Sequence, residues 1–331
     1  MINRKKRKKH IYEKNISIVS RLTVLAVIFT VCAGIAFAGG GRNSSSGANT
    51  AANARPATDR EGYAITLPQN INKIVSIGPS NTEILAGLGF GGKIIAADTY
   101  SSGVAGLSSN VPATLDILSL DAEYIINLMP DIIFITGMAR GGSEDNPLAL
   151  VSAVGITVIY MPTSVSIAAI MEDIRFIAAV MDAREAGDRL VSNMQAEIDK
   201  INRIAAGIRE KRKVYFEISA APWMYSFGSG TFLNEMIELT GAVNVFKDQT
   251  SWISVSDEAL LAANPDVILT SVDYLDDPIN EILRRPGFGA ITAVRNRNVF
   301  RIDTASSNRP SQNIIKALNE IARAVYPEYY R

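Results

Sequence analysis

The sequence predicts an α/β fold, with two lobes of mainly parallel sheet joined by a single long helix. Three observations predict it. Short apolar runs alternate with helical stretches, one mid-chain helical stretch is longer than a compact lobe needs, and one helix-turn-strand unit recurs on either side of it.

The strand-like runs lie at 73–77, 93–97, 131–136, 157–161, 213–218, 266–270 and 298–302. They are short and apolar on both faces, the pattern of strands buried in a parallel sheet with helices on either side. Helical periodicity marks 80–88, 121–128, 167–180, 183–209, 232–240, 257–262 and 314–324. Alternation of the two kinds implies layered α/β lobes.

The stretch 183–209 carries apolar residues at Leu190, Met194, Ile198, Ile201, Ile204 and Ala205, a narrow stripe along one face. Arg184, Glu185, Asp188, Arg189, Glu197, Asp199, Lys200 and Arg203 cover the rest. At 1.5 Å per residue the helix would be about 40 Å long, enough to bridge two lobes.

The recurring unit is Ser-Leu-Asp-Ala-Glu-Tyr-Ile-Ile-Asn-Leu-Met-Pro-Asp-Ile-Ile-Phe from Ser119, matched by Ser-Val-Ser-Asp-Glu-Ala-Leu-Leu-Ala-Ala-Asn-Pro-Asp-Val-Ile-Leu from Ser254. Each copy places a glutamate (Glu123, Glu258) in the first turn of a helix, a Pro-Asp pair seven residues later, and then an apolar strand. Such an offset repeat is the signature of a duplicated structural unit.

Composition narrows the function. Residues 1–38 hold eight Lys/Arg and one acid, which leaves 25 basic and 32 acidic residues in 39–331 and a net charge of −7 there. An acidic body without a basic stripe argues against a nucleic-acid partner. The only histidine, His10, and the only cysteine, Cys32, both lie in the first 38 residues. The body therefore lacks thiol or imidazole catalysis, a Ser-His-Asp triad and the usual zinc ligands. No catalytic or metal-ligating residue is assigned and no cofactor of its own is expected, although a metal can arrive inside a chelator.

The N-terminus reads as a targeting segment: a basic run at Lys5–Lys9, an uncharged, mostly apolar stretch at 22–38, and the small-x-small sequence Ala36-Phe37-Ala38. Cleavage near Ala38, lipidation of Cys32 and retention as an uncleaved anchor all export the body. The expected organisation is a signal peptide or anchor over 1–38 and a flexible linker over 39–62. An N-terminal lobe follows over 63–165, then a helical segment over 166–211 and a C-terminal lobe over 212–331.

The run Lys-Ile-Val-Ser-Ile-Gly-Pro-Ser-Asn-Thr-Glu-Ile-Leu-Ala-Gly-Leu-Gly from Lys73 resembles the opening of the periplasmic iron-siderophore and cobalamin binding proteins of ABC importers. The two Glu-to-Pro-Asp units, Gly155-Ile-Thr-Val, Gly241-Ala-Val-Asn and the run Ala-Val-Arg-Asn-Arg-Asn-Val-Phe from Ala293 resemble its later landmarks in the same order. The resemblance covers about residues 71–327 and departs from the family over the Ser/Gly-rich stretch 100–112. It implies two Rossmann-like lobes joined by one rigid helix, a ligand in the cleft between them, and a monomer that delivers a metal chelate to a permease. It also implies that Glu123 and Glu258 pair with permease arginines. By itself each glutamate would merely complement a helix N-terminus.

In open α/β sheets the ligand sits beyond the carboxyl ends of the strands. Loops there offer Ser80 and Asn81, Tyr100, Arg140, Trp223 and Tyr225, Trp252, and Arg309. Broad, flat ligands call for aromatic walls, from Trp252 and from Trp223 or Tyr225. Arg140 and Arg309 suit the oxygens of a siderophore or the amides of a corrin. A tyrosine such as Tyr100 or Tyr225 would be needed to ligate haem iron. Ser80-x-x-Glu83 is read first as a helix capping box. An anchored sensor that reuses the fold, and an exported enzyme using carboxylate pairs such as Asp276-Asp277, stand as alternatives. Which chelate and which permease are left open.

Overall fold

The computed structural model describes residues 54–139, 146 and 148–331, so the N-terminal segment, Cys32, the linker up to residue 53 and Arg140 lie outside the described residues. The chain runs through β1 (Ile74–Ile77), α1 (Pro79–Gly87), β2 (Ile94–Asp98), β3 (Ala113–Leu115), α2 (Ala122–Asn127), β4 (Ile132–Thr136), α3 (Ala149–Ala153) and β5 (Thr157–Met161). Two helices follow, α4 (Ile167–Val180) and α5 (Arg184–Ala205). The remainder is β6 (Lys213–Glu217), β7 (Tyr225–Phe227), α6 (Phe232–Leu239), β8 (Val243–Asn244), β9 (Trp252–Ser254), α7 (Asp257–Ala263), β10 (Val267–Thr270), α8 (Pro278–Arg284), α9 (Thr292–Arg295), β11 (Val299–Arg301), α10 (Thr304–Asn308) and α11 (Ile314–Val325).

The first sheet has the order β3-β2-β1-β4-β5 and the second β11-β10-β6-β8. Every pairing within them is parallel. A separate antiparallel ribbon joins β7 to β9. Strand alternation sorts the side chains into layers. Ile74 and Phe134 face one side of the first sheet while Val75, Ile133 and Ile135 face the other. In the second sheet Val214 and Phe216 oppose Tyr215 and Ile268.

One apolar cluster runs through both halves. It takes the inner faces of the two sheets, Ile170, Ile174 and Ile177 of α4, Val191, Met194, Ile198 and Ile201 of α5, and Ile314, Leu318 and Ile321 of α11. A shared, close-packed core of this kind resists large rotation of one half against the other. The long helix expected over 183–209 is the 22-residue α5, ending at Ala205. Within the helical segment, α4 packs on α1 and α5, and α5 packs on α6 and α11. Gly187 makes the α4–α5 approach possible, since a Cβ there would lie 2.5 Å from Ala178 Cβ. Among the described residues no helix is long and apolar enough to cross a membrane.

The repeat is structural. The caps Asp121 and Ser256 accept from the backbone N–H of Tyr124 and Ala259, which puts Glu123 and Glu258 at the same position of α2 and α7. Met129 and Asn264, each before its proline, both adopt positive φ, 49° and 44°. Asp131 Oδ2 then accepts from Asn72 and Lys73 N–H at 2.7 and 2.9 Å, and Asp266 Oδ2 from Lys213 N–H at 2.8 Å. Each Pro-Asp pair thereby pins the start of the neighbouring parallel strand.

The described end of the expected linker is not a free tether. Arg55 Nε donates to the Val180 carbonyl at the end of α4, and Thr58 bridges Ala64. Arg60 donates to Asp173 at 2.8 Å and to Glu172 at 2.9 Å.

Candidate ligand-binding site

At the carboxyl ends of the strands of both sheets lies a cavity of about 360 Å³. The first half contributes the loop after β1 and the ends of β4 and β5. The second contributes Phe232, Trp252 and Asn308. Local chemistry sets these loops. Gly78 adopts φ 113°, and a Cβ on it would press to 3.2 Å from Thr136 Cβ. Its N–H donates to the buried Asp98 at 2.8 Å, and Asp98 also accepts from Ser101 Oγ at 2.6 Å. This network holds the loop that carries Ser80 and Asn81 to the cavity wall.

Of the residues expected to bind ligand, Ser80, Asn81 and Trp252 line the cavity. Asn81 is buried and spends its amide on the Ile77 carbonyl at 3.1 Å. Trp252 was expected in a loop, but it lies in β9 opposite Phe227 of β7. The buried Phe227 ring meets it edge-on, centroids 6.2 Å apart, and leaves the indole 38% exposed. A wall of that kind is anchored on one side and open on the other. Trp223 is 82% exposed and Tyr225 half-exposed; both sit on or before β7, outside the cavity lining. Tyr100 is exposed and likewise outside the lining.

Arg309 has a different occupation from the one expected. Its Nη1 donates to Glu83 Oε1 and its Nη2 to the Tyr100 carbonyl, each at 2.9 Å. The expected Ser80–Glu83 capping box does not form, because the cap of α1 is Gly78, with no side-chain hydrogen bond. Glu83 is buried and accepts instead from Arg309, Ser311 and Asn313.

The structure adds residues the sequence reading passed over. Asp173 of α4 and Ser164 line the cavity, both buried. Ser164 Oγ donates to Asp173 Oδ2, and Arg60 donates to Oδ1. Burial pushes the Asp173 carboxyl up, against the hydrogen bonds from Ser164 and Arg60. A sequence signal existed: Asp173 falls on the apolar face of its helix, beside Ile170, Ile174 and Ile177. Near the ribbon, Tyr274 accepts from Ala220 N–H at 2.8 Å and is also largely exposed.

Glu123 and Glu258 are exposed on α2 and α7. The Glu258 carboxyl sits below its usual range because its own backbone N–H and the Ser256 hydroxyl donate to it.

The periplasmic binding protein family matches residues 74–305, which span both sheets and the helices between them. The chain belongs to this family. It is 30% identical over 278 residues to the ABC transporter substrate-binding lipoprotein YvrC of Bacillus subtilis, covering 82% of this chain and 86% of that protein. To a vitamin B12-binding protein of Yersinia pestis it is 27% identical over 210 residues, 62% of this chain and 72% of the relative. A possible iron-binding, periplasmic solute-binding protein from Staphylococcus epidermidis has a similar structure. Its TM-score is 0.68 at 28% identity, covering 78% of this chain and 100% of that one. In this binding protein the cavity thus lies between the two halves of a fold shared with known solute binders.

Proposed function

We propose that this chain is the extracytoplasmic substrate-binding component of an ABC importer, capturing a metal chelate in the cavity and handing it to the permease. The observation that carries the reading is the cavity itself. It is walled from both sheets, lies at the strand ends where α/β folds bind ligands, and has the half-exposed Trp252 indole as a flat apolar face. A corrinoid or a ferric siderophore is the leading cargo and haem the third. Relatives named for vitamin B12 and for iron support that class.

The shared core favours a largely preformed pocket over wide hinge closure. Glu123 and Glu258, repeated in step and exposed on α2 and α7, serve as the docking charges for the permease, setting register and encounter rate. Tethering outside the membrane fits the N-terminal segment and the lipoprotein relative. The chain works as a binding module, with no catalytic group of its own assigned.

The test is a ligand panel on the purified protein, with cobalamin, several ferric siderophores and haem titrated against tryptophan fluorescence. Saturable quenching by one class at micromolar or tighter affinity is the expected result. Silence from all of them, with the protein shown folded, would overturn the chelate reading.

A further inference from the structure

Of the described residues that line the cavity, Asp173 alone carries a charge. The other polar groups there, such as Ser80, Thr136, Thr163 and Asn308, are neutral. Arg60 is not in the lining; it divides its guanidinium between Asp173 at 2.8 Å and the exposed Glu172 at 2.9 Å. Two carboxylates share one cation, so these three groups keep one net negative charge, and Asp173 is the one of them in the cavity lining. Arg309, the cation expected to receive anionic ligand oxygens, is held on Glu83.

We infer that Asp173, positioned by Arg60 and Ser164, sets the charge selectivity of the cavity: it admits a neutral or cationic chelate with N–H donors on its rim and rejects one that presents carboxylates. The inference rests on the chelate reading proposed above and narrows its substrate class. The physical reason is desolvation. A ligand carboxylate brought against Asp173 loses its water next to a like charge that cannot move away, because α4, Arg60 and Ser164 fix it. An amide N–H in the same place donates to Asp173 oxygens that still have free lone pairs. Rejection by a built-in like charge is a common route to specificity.

Ring-matched ligand pairs test this on the full-length protein. One pair is cyanocobalamin and its monocarboxylate, made by hydrolysing one side-chain amide. The other is iron protoporphyrin dimethyl ester and the free dicarboxylate. For whichever ring binds, the member without free carboxylates should bind at least about tenfold tighter. Asp173→Asn should shrink that preference to less than about threefold. Equal binding of the two members by the native protein would overturn the inference while leaving the chelate reading intact, and that comparison needs no variant to fold. A tenfold preference that survives in folded Asp173→Asn would also overturn it. If neither ring binds, the same comparison is made between a ferric trihydroxamate without carboxylates and a ferric siderophore that presents them, and equal binding of those two would overturn the inference.

Discussion

Arg309 and Glu83 are 226 residues apart in sequence and 2.9 Å apart in space, joining the loop before the last helix to the first helix of the other half. Ser311 and Asn313 donate to the same carboxylate, and Gln312 donates to the Glu83 backbone carbonyl at 2.8 Å. Glu83 thus receives the start of α11. The other half answers in kind: Glu235 of α6 accepts from Ile167 N–H, the first residue of α4, at 2.7 Å. In each case a carboxylate, on α1 or α6, meets the start of a helix, α11 or α4, that lies beyond the last strand of the other half's sheet, so both links cross between halves. These reciprocal ties, laid over the shared core, hold the cavity in one shape.

Removing one tie should cost stability. Glu83→Ala leaves a half-buried guanidinium and two polar side chains without their acceptor, and should destabilise by about 3 kcal/mol in urea unfolding. Glu83→Gln keeps part of the network and should cost about 1–2 kcal/mol. A loss below about 0.5 kcal/mol for the alanine variant would show that the tie is incidental.

Glu235→Gln should cost less, about 0.5–1 kcal/mol, because a neutral amide oxygen still accepts from Ile167 N–H but no longer complements the α4 dipole. Hydrogen exchange at the first turn of α4 should accelerate in the variant. Unchanged protection there would refute the role.

Much of this frame was legible in the sequence, for reasons that differ by element. The ends of α4 were readable because Ser166 caps it, accepting from Ala169 N–H, and its apolar face is regular. The strands β1, β4, β5 and β6 were readable because burial on both faces leaves uninterrupted apolar runs. The β7–β9 ribbon was not readable. Each strand is three residues long, and its register comes from pairing across 25 residues of chain rather than from its own pattern. The same applies to Arg309: exposed chemistry in a loop suggested a ligand, while the partner that claims it is on a distant helix. The Glu83 position looked like a local cap for the opposite reason, since a nearby serine matched a short-range motif.

Acid should probe the segment that carries Arg309. Asp303 caps α10 through Ser306 N–H at 2.8 Å and meets Lys316 at 2.9 Å. Burial opposes ionisation, but Lys316 and Ser306 outweigh it and hold the carboxyl down at about 2. A depressed folded-state value stabilises the fold above the ordinary carboxylate range, and that contribution is lost as pH falls from about 4 to about 2. Asp303→Asn should flatten this part of the stability-against-pH curve. An unchanged acid limb would contradict the assignment. At neutral pH, Asp303→Ala should cost about 1 kcal/mol as a lost cap.

Docking charges predict a separation of uptake from binding. Reversing both Glu123 and Glu258 to lysine should abolish transport of the bound chelate while leaving its affinity within about twofold, because both side chains are exposed on α2 and α7, outside the cavity lining. Loss of ligand affinity in the double variant would remove them from the docking surface.

The most direct test of chelate capture in the cavity uses the two tryptophans separately. In Trp223→Phe the remaining indole is Trp252, which lines the cavity; in Trp252→Phe it is Trp223, which does not. Titrated with the chelate identified by the panel, Trp223→Phe should show saturable quenching at the affinity of the native protein. Trp252→Phe should bind more weakly, by about tenfold or more, with little quenching. Quenching confined to Trp223, with affinity untouched by loss of Trp252, would place the ligand outside this cavity and contradict the account.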